Sequence, residues 1–240
     1  KLIAKLKVNF MEYSPQSEKC PLPYSPFKAC TVPRPIGWLS TISSTGISNL
    51  APYSQWQNLT FDPPMVMFAA NQLSDGRRKD TVINAEETGW FVWNMATYDL
   101  RESVNISAME LSPGEDEFER AGVTKAPCHL APGSRVAESP AHFECKYLST
   151  HRLRGNSNHG WVEVVYGEVM RIHVDDEVIT AVKTTRNVLV KVDVRSSHAR
   201  RMIPLHLGCG LKHALPANVC TATLENESRV IREESRVVAG

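Results

Sequence analysis

The chain has 240 residues and a mass of 26.8 kDa, which suits one domain with tails better than two full domains. Hydrophobic residues make up 42% and charged residues 22%, which excludes a disordered chain, a collagen and a coiled coil. Lys and Arg number 27 against 26 Asp and Glu, so the net charge of +1 makes no case for nucleic acid or an anionic membrane surface.

No apolar run approaches the ~18 residues of a membrane helix. Cys20, Cys30, Cys128, Cys145, Cys209 and Cys220 form no CxxC and no metal-type spacing, so neither a disulfide scaffold nor a bound metal is expected. Residues 1–9 lack the apolar core of a signal peptide. The expected setting is reducing and cytoplasmic.

In chain order, residues 1–29 are Pro-punctuated and read as an extended lead-in. Residues 37–43 are rich in β-formers. Ser44-Thr45-Gly46 is a turn, and 47–54 is the hairpin partner. Residues 58–64 read as a polar, Pro-closed loop. Residues 65–70 are apolar throughout and predict a strand buried on both faces. Residues 80–89 predict a short helix, with a capping-type residue at its start and Gly89 at its end. Residues 90–94 are a strand. Leu100, Val104 and Ala108 predict an amphipathic helix over 99–109. Residues 112–133 are loop with one short helix near 115–121. Residues 141–148 alternate as a strand. Residues 161–174 are the longest strand, with a bulge or bend at Gly167. Residues 188–194 are one more strand, and 195–240 a tail. Strands do not alternate with helices, so a doubly wound sheet is disfavoured. The expected fold is mainly β, a small closed or split barrel with a few short accessory helices. Its domain is expected over residues 30–194.

Three segments carry candidate chemistry. Arg77-Arg78-Lys79 leads into a helix start at Asp80-Thr81, where free N–H groups and the dipole suit a phosphate. On the local residues alone, a solvated turn with Asp80 or Thr81 as N-cap is the simpler account. Residues 49–58 set amide and small side chains beside Tyr53 and Trp56, as a planar heterocycle requires. Packed core aromatics explain that segment equally well. His159 sits in a polar, Gly-flanked loop, Gly155-Asn156-Ser157-Asn158-His159-Gly160. A ligand contact and an ordinary surface histidine are both open there. His142, Cys145 and His151 match no standard metal site, and Asp116, Glu117 and Glu119 read as a helix surface.

Taken in order, several segments resemble one family. They are Val32-Pro33-Arg34-Pro35-Ile36-Gly37-Trp38, Asn49-Leu50-Ala51-Pro52-Tyr53-Ser54, Phe61-Asp62-Pro63-Pro64 and Lys79-Asp80-Thr81 with Asn84. Phe91-Val92-Trp93-Asn94, Asp116-Glu117-Phe118 and Gly167-Glu168-Val169 continue the order. The pattern is similar to the flavin reductase-like, FMN-binding split-barrel family, in the branch of flavoredoxin and the reductase components of two-component monooxygenases. The resemblance implies a homodimer binding FMN near its interface. It implies an NAD(P)H:flavin reductase, with NADH or NADPH as reductant and a partner monooxygenase as one recipient. The alternative is an FMN-binding electron carrier without its own NAD(P)H site. The resemblance also places the phosphate at Lys79, Asp80 and Thr81. It sets Ser40, Thr41, Ala51, Ser54, Gln55, Trp56 and Asn58 along the flavin, with Asn94 nearby and His159 toward the nicotinamide. No side chain need act as acid or base, since the cofactor carries the chemistry. The family's usual C-terminal segment is echoed only by Ile203-Pro204-Leu205-His206-Leu207-Gly208.

Overall fold

The computed structural model describes residues 11–23, 25–111, 115–155, 160–183 and 188–192. The proposed tail over 195–240 lies outside the described residues. A single-turn helix, α1 (Pro26–Ala29), buries none of its side chains. From Gly37 the chain turns to strands. β1 (Gly37–Ile42) and β2 (Ser48–Tyr53) form the expected antiparallel hairpin, with Gly37 opposite Tyr53 and Ile42 opposite Ser48. Gly46 makes the turn at φ 88°.

Most of the segment expected as loop is instead a strand, β3 (Trp56–Phe61), which forms a second hairpin with the expected strand, β4 (Pro64–Asn71). Past Trp56 every β3 side chain is exposed, so this edge strand has no buried face to make its residues alternate. In β4, buried Val66, Phe68 and Ala70 alternate with half-exposed Met65, Met67 and Ala69. The chain covers one face of β4, not both.

The remaining elements are α2 (Asp80–Thr88), β5 (Trp90–Asn94), α3 (Arg101–Ile106), α4 (Glu117–Ala121), β6 (Lys125–Pro127), β7 (Ser134–Val136), β8 (Ala141–Arg154), β9 (Trp161–Val174), β10 (Ile179–Lys183) and β11 (Val188–Val192). α3 is shorter than the stretch 99–109, because Ala108 is exposed and gives a third turn nothing to bury. β6 falls inside the stretch expected as loop and pairs with β7 just beyond it; three residues are too few to show a period. β8 runs six residues beyond the alternating stretch, carried by its pairing with β9.

Seven strands form one antiparallel sheet in the order β2-β1-β5-β8-β9-β4-β3. Its two edge strands, β2 and β3, are consecutive in the chain and separated only by Ser54 and Gln55. The sheet must therefore curl until its edges meet, which makes it a split barrel. Two contacts span the closure. The Trp56 ring of β3 stacks on Trp93 of β5 at 5.9 Å and 7°, and Tyr53 of β2 meets Phe68 of β4 at 5.0 Å. The interior core holds Leu39, Val66, Phe68, Phe91, Cys145 and Val165, with Val82 and Ala85 of α2 closing one end. A second core lies outside the barrel wall, where Trp38 and Leu50 meet Val104 of α3, Phe118 of α4 and Val136 of β7.

Gly167 is not itself the bulge. The register slips on either side of it, with Met170 unpaired on β9 and Leu148 unpaired on β8. Gly167 is needed because the Phe91 ring lies against its Cα: a Cβ there would stand 2.4 Å from the ring. Among the described residues no helix is long and apolar enough to cross a membrane.

Candidate functional site

The site forms where α2 starts against the edge strand β2. Helix α2 begins without a side-chain cap. Lys79 occupies the N-cap position in extended conformation, and Asp80 lies in the first turn rather than capping it. The first N–H groups of the helix are thus not closed off by their own sequence. The far end is closed by Gly89 at φ 77°, whose N–H donates to the Ala85 carbonyl.

Polar pairs hold the helix on the barrel wall. The Asn49 amide of β2 donates to the Thr81 hydroxyl at 2.9 Å, and the Asn84 amide donates to the Thr41 hydroxyl of β1 at 3.1 Å. All four residues are buried, Thr81 to 1% exposure. This explains why a helix start so rich in polar residues packs down: each buried amide meets a hydroxyl.

A groove of about 110 Å³ opens over this junction. Asn49, Ala51 and Tyr53 of β2, Lys79 and Thr81 at the α2 start, and Glu117 of α4 line it. Met109 and Glu110, after α3, form its far wall. Lys79 Nζ lies 3.5 Å from Glu110 Oε1, both partly exposed, so that pairing is weak. Arg77 reaches the groove but pairs with Asp75 at 2.6 Å. Arg78 does not reach it. Its guanidinium joins Glu86 and Glu163, each at 2.8 Å, and Arg152 meets the same Glu163. Of the three basic residues in the sequence motif, Arg78 is structural.

Two buried oxygens at the groove have no partner. The Tyr53 hydroxyl, in a side chain 8% exposed, lies near Thr81 without a well-formed hydrogen bond to it. Burial raises its pKa, so it stays a neutral donor. Glu117 Oε2 is also unpartnered. Burial pushes the Glu117 carboxyl up to about 7, against the backbone N–H groups of Glu117 and Leu50 that hold it down. A buried donor and acceptor left open at one groove are what a polar ligand completes.

The sequence-predicted residues fall into three groups. Ala51, Lys79, Asp80 and Thr81 are together at the groove. Ser40, Thr41 and Asn94 do not line it and spend their hydrogen bonds on the protein. Asn94 donates to the Trp38 carbonyl and the Ser40 hydroxyl, each at 3.1 Å, and accepts from Val136 N–H at 2.8 Å. Ser40 in turn donates to the Ser134 carbonyl at 2.6 Å. Ser54 and Gln55 form the β2–β3 connection and Asn58 lies within β3, with Gln55 and Asn58 exposed. Trp56 turns inward, 4% exposed, over Gly37 and Trp93. His159 lies outside the described residues.

The helix-surface reading of 116–119 needs correction at one residue. Asp116 caps α4 by accepting from Phe118 N–H at 2.9 Å, and Glu117 lines the groove. The signal was the buried pair Phe118 and Ala121, whose helix face Glu117 borders. His142 and Cys145 are buried and His151 exposed. Among the described residues no His, Cys, Asp and Glu cluster could hold a metal ion.

An antiparallel split barrel with a polar groove at an uncapped helix start defines the class. The chain belongs to the flavin reductase-like domain family, which it matches over residues 29–189. It is 36% identical over 151 residues to an uncharacterised protein of Aquifex aeolicus, covering 62% of this chain and 72% of that one. It is 32% identical over 167 residues to protein BH2278 of Halalkalibacterium halodurans, covering 70% and 80%. Among solved structures it resembles nitrilotriacetate monooxygenase component B from Bacillus cereus, with TM-score 0.64, 26% identity and coverage of 71% and 84%. Family membership supports a flavin-associated oxidoreductase.

Proposed function

We propose that the protein is an FMN-dependent oxidoreductase, an NAD(P)H:flavin reductase whose flavin-binding domain spans residues 30–194. The observation that carries this reading is the convergence at one groove of the α2 start, the Asn49–Thr81 pair, Lys79 and the unpartnered Tyr53 hydroxyl. These groups fit FMN. A phosphate suits free helix N–H groups beside an ammonium, and a polyol suits amide and hydroxyl side chains. When bound, FMN supplies the redox chemistry by accepting hydride from a nicotinamide.

The chain's own residues bind and orient. Lys79 and the α2 start hold the phosphate, with Asp80 beside them. Thr81, Asn49 and Tyr53 hold the ribityl hydroxyls. Ala51, Ser54, Gln55 and Asn58 border the ring, with Trp56 stiffening that turn from beneath. Ser40, Thr41 and Asn94 fix the wall behind. His159 is assigned to the nicotinamide.

We read the assembly as a homodimer in the cytoplasm, with a partner monooxygenase as one recipient of electrons. Exposed apolar side chains such as Phe61, at 92%, and Ile172, at 55%, are ones that a dimer interface would cover. Component B of a monooxygenase among the structural relatives supports the recipient.

The test is the visible spectrum of the protein loaded with FMN and freed of excess, titrated with NADH and then NADPH without oxygen. Bleaching of the flavin bands by either nucleotide is the expected result. Bands that persist until dithionite is added would replace the reductase with an electron carrier.

A further inference from the structure

Glu117 is a carboxyl group in an unusual place for a phosphate site. It lines the same groove as Lys79 and Thr81, and its Oε2 is buried with no partner. The Tyr53 hydroxyl, more than nine-tenths buried, is open at the same groove. The two open oxygens mark a ligand position between β2 and α4 that the protein itself does not fill.

We propose that Glu117 makes this groove a proton-dependent reader of the phosphate: as a neutral acid it donates a hydrogen bond to a phosphorylated ligand, and as a carboxylate it repels one. The inference rests on the flavin reading above and deepens it.

The charges facing Glu117 decide which form the carboxyl takes in the free protein. From α2 comes Asp80, and from its own helix Asp116, both of which disfavour a second negative charge. Asp116 is partly offset by its ion pair with Lys125. From the segment after α3 comes Glu110, paired loosely with Lys79. Arg77, from the preceding loop, is held by Asp75. From β2 come the Leu50 N–H, which favours the carboxylate, and the neutral Tyr53 hydroxyl. Burial outweighs the backbone donors, so the carboxyl titrates at about 7. An incoming phosphate adds negative charge and raises that value further, so binding draws a proton in.

The phosphate's own second ionisation, near ~6, would by itself strengthen binding to a cationic site as pH rises. The Glu117 effect has the opposite sign, which makes it separable. Riboflavin, with the same ring and polyol and no phosphate, is the control.

The experiment measures FMN and riboflavin affinity by fluorescence quenching from pH 6.5 to 8.5, in wild type and E117Q. FMN binding by wild type should weaken about tenfold across that range. It should stay nearly level in E117Q, and riboflavin binding should stay level in both. Calorimetry of the unmodified protein at pH 7.5, in buffers of different ionisation enthalpy, should show proton uptake with FMN and none with riboflavin. FMN affinity that is level or rising in wild type, an equal decline in E117Q, or no proton uptake would overturn the inference while leaving flavin binding intact. Binding of neither flavin at any pH would instead remove the flavin reading, and this inference with it.

Discussion

Single residues at the groove can be separated by what each loses on substitution. Lys79 contributes a charge at the rim and Thr81 a buried hydroxyl that accepts from Asn49. The double substitution K79A/T81A should weaken FMN at least tenfold, since a charge-assisted contact and a neutral one go together. Riboflavin should lose much less, because only the Thr81 contribution applies to it. Equal affinities of wild type and variant for FMN, in a fluorescence titration, would move the phosphate elsewhere. At this scale the sequence was partly legible. Lys79, Asp80 and Thr81 announce a helix start by residue type alone. Asn49, Tyr53 and Glu117 do not, because their roles depend on which strand edge and which helix meet. Ser40 and Asn94 show the converse: polar residues near a site whose hydrogen bonds are already spent on Trp38, Ser134 and Val136.

Between elements, two close contacts carry the barrel. Gly167 of β9 lets the Phe91 ring of β5 lie against its backbone. A methyl group there must displace a fully buried aromatic ring, so G167A should cost roughly 2–3 kcal/mol in chemical unfolding. Adding F91L should recover part of that loss, because the two sites share one space. The second contact is Glu144 of β8, which is 0% exposed and accepts from the N–H groups of His129, Leu130 and Ala131 at 2.9, 2.6 and 2.8 Å. His173 of β9 adds a contact at 2.6 Å. Burial works against the charge, yet the backbone donors and His173 bring the carboxyl down to about 2. A pKa lowered by folding gives stability that is present above the ordinary value of ~4.3 and lost as pH falls toward 2. E144Q should therefore be destabilised by roughly 3 kcal/mol at pH 7. The gap to wild type should narrow in urea titrations at pH 3. A gap independent of pH would mean that shape, not charge, holds the 129–131 loop. β4 declared itself as a strand by its apolar run, but not that only one of its faces is buried. β3 did not, for its outer residues bury nothing, and β6 and β7 were too short.

For the whole molecule, closure is the property that local patterns do not state. The order β2-β1-β5-β8-β9-β4-β3 emerges only from pairings between residues far apart, such as Met65 with Glu168 and Trp93 with Phe143. A mainly β fold was legible from strand-like runs without alternating helices; which strands would be edges was not. Closure also links the groove to global stability. The groove is built from β2 at the sheet edge, the α2 start and the α4 region, so a ligand there ties the edge strand to the helices. A ligand that binds only the folded state stabilises it by RT ln(1 + [L]/Kd), about 2.7 kcal/mol at a hundredfold excess over Kd. For a chain of this size that corresponds to roughly 5–10 °C in melting temperature. FMN should raise the midpoint by that amount at pH 6.5, and the rise should grow by a constant increment for each tenfold increase in ligand. At equal concentrations riboflavin should give a smaller rise, because it makes no phosphate contact at the α2 start. In K79A/T81A the gap between the two flavins should narrow, since the Lys79 charge is gone while the N–H groups of the α2 start remain. Equal shifts for FMN and riboflavin in the wild-type protein would show that the ring and polyol, rather than the helix start, carry the binding energy.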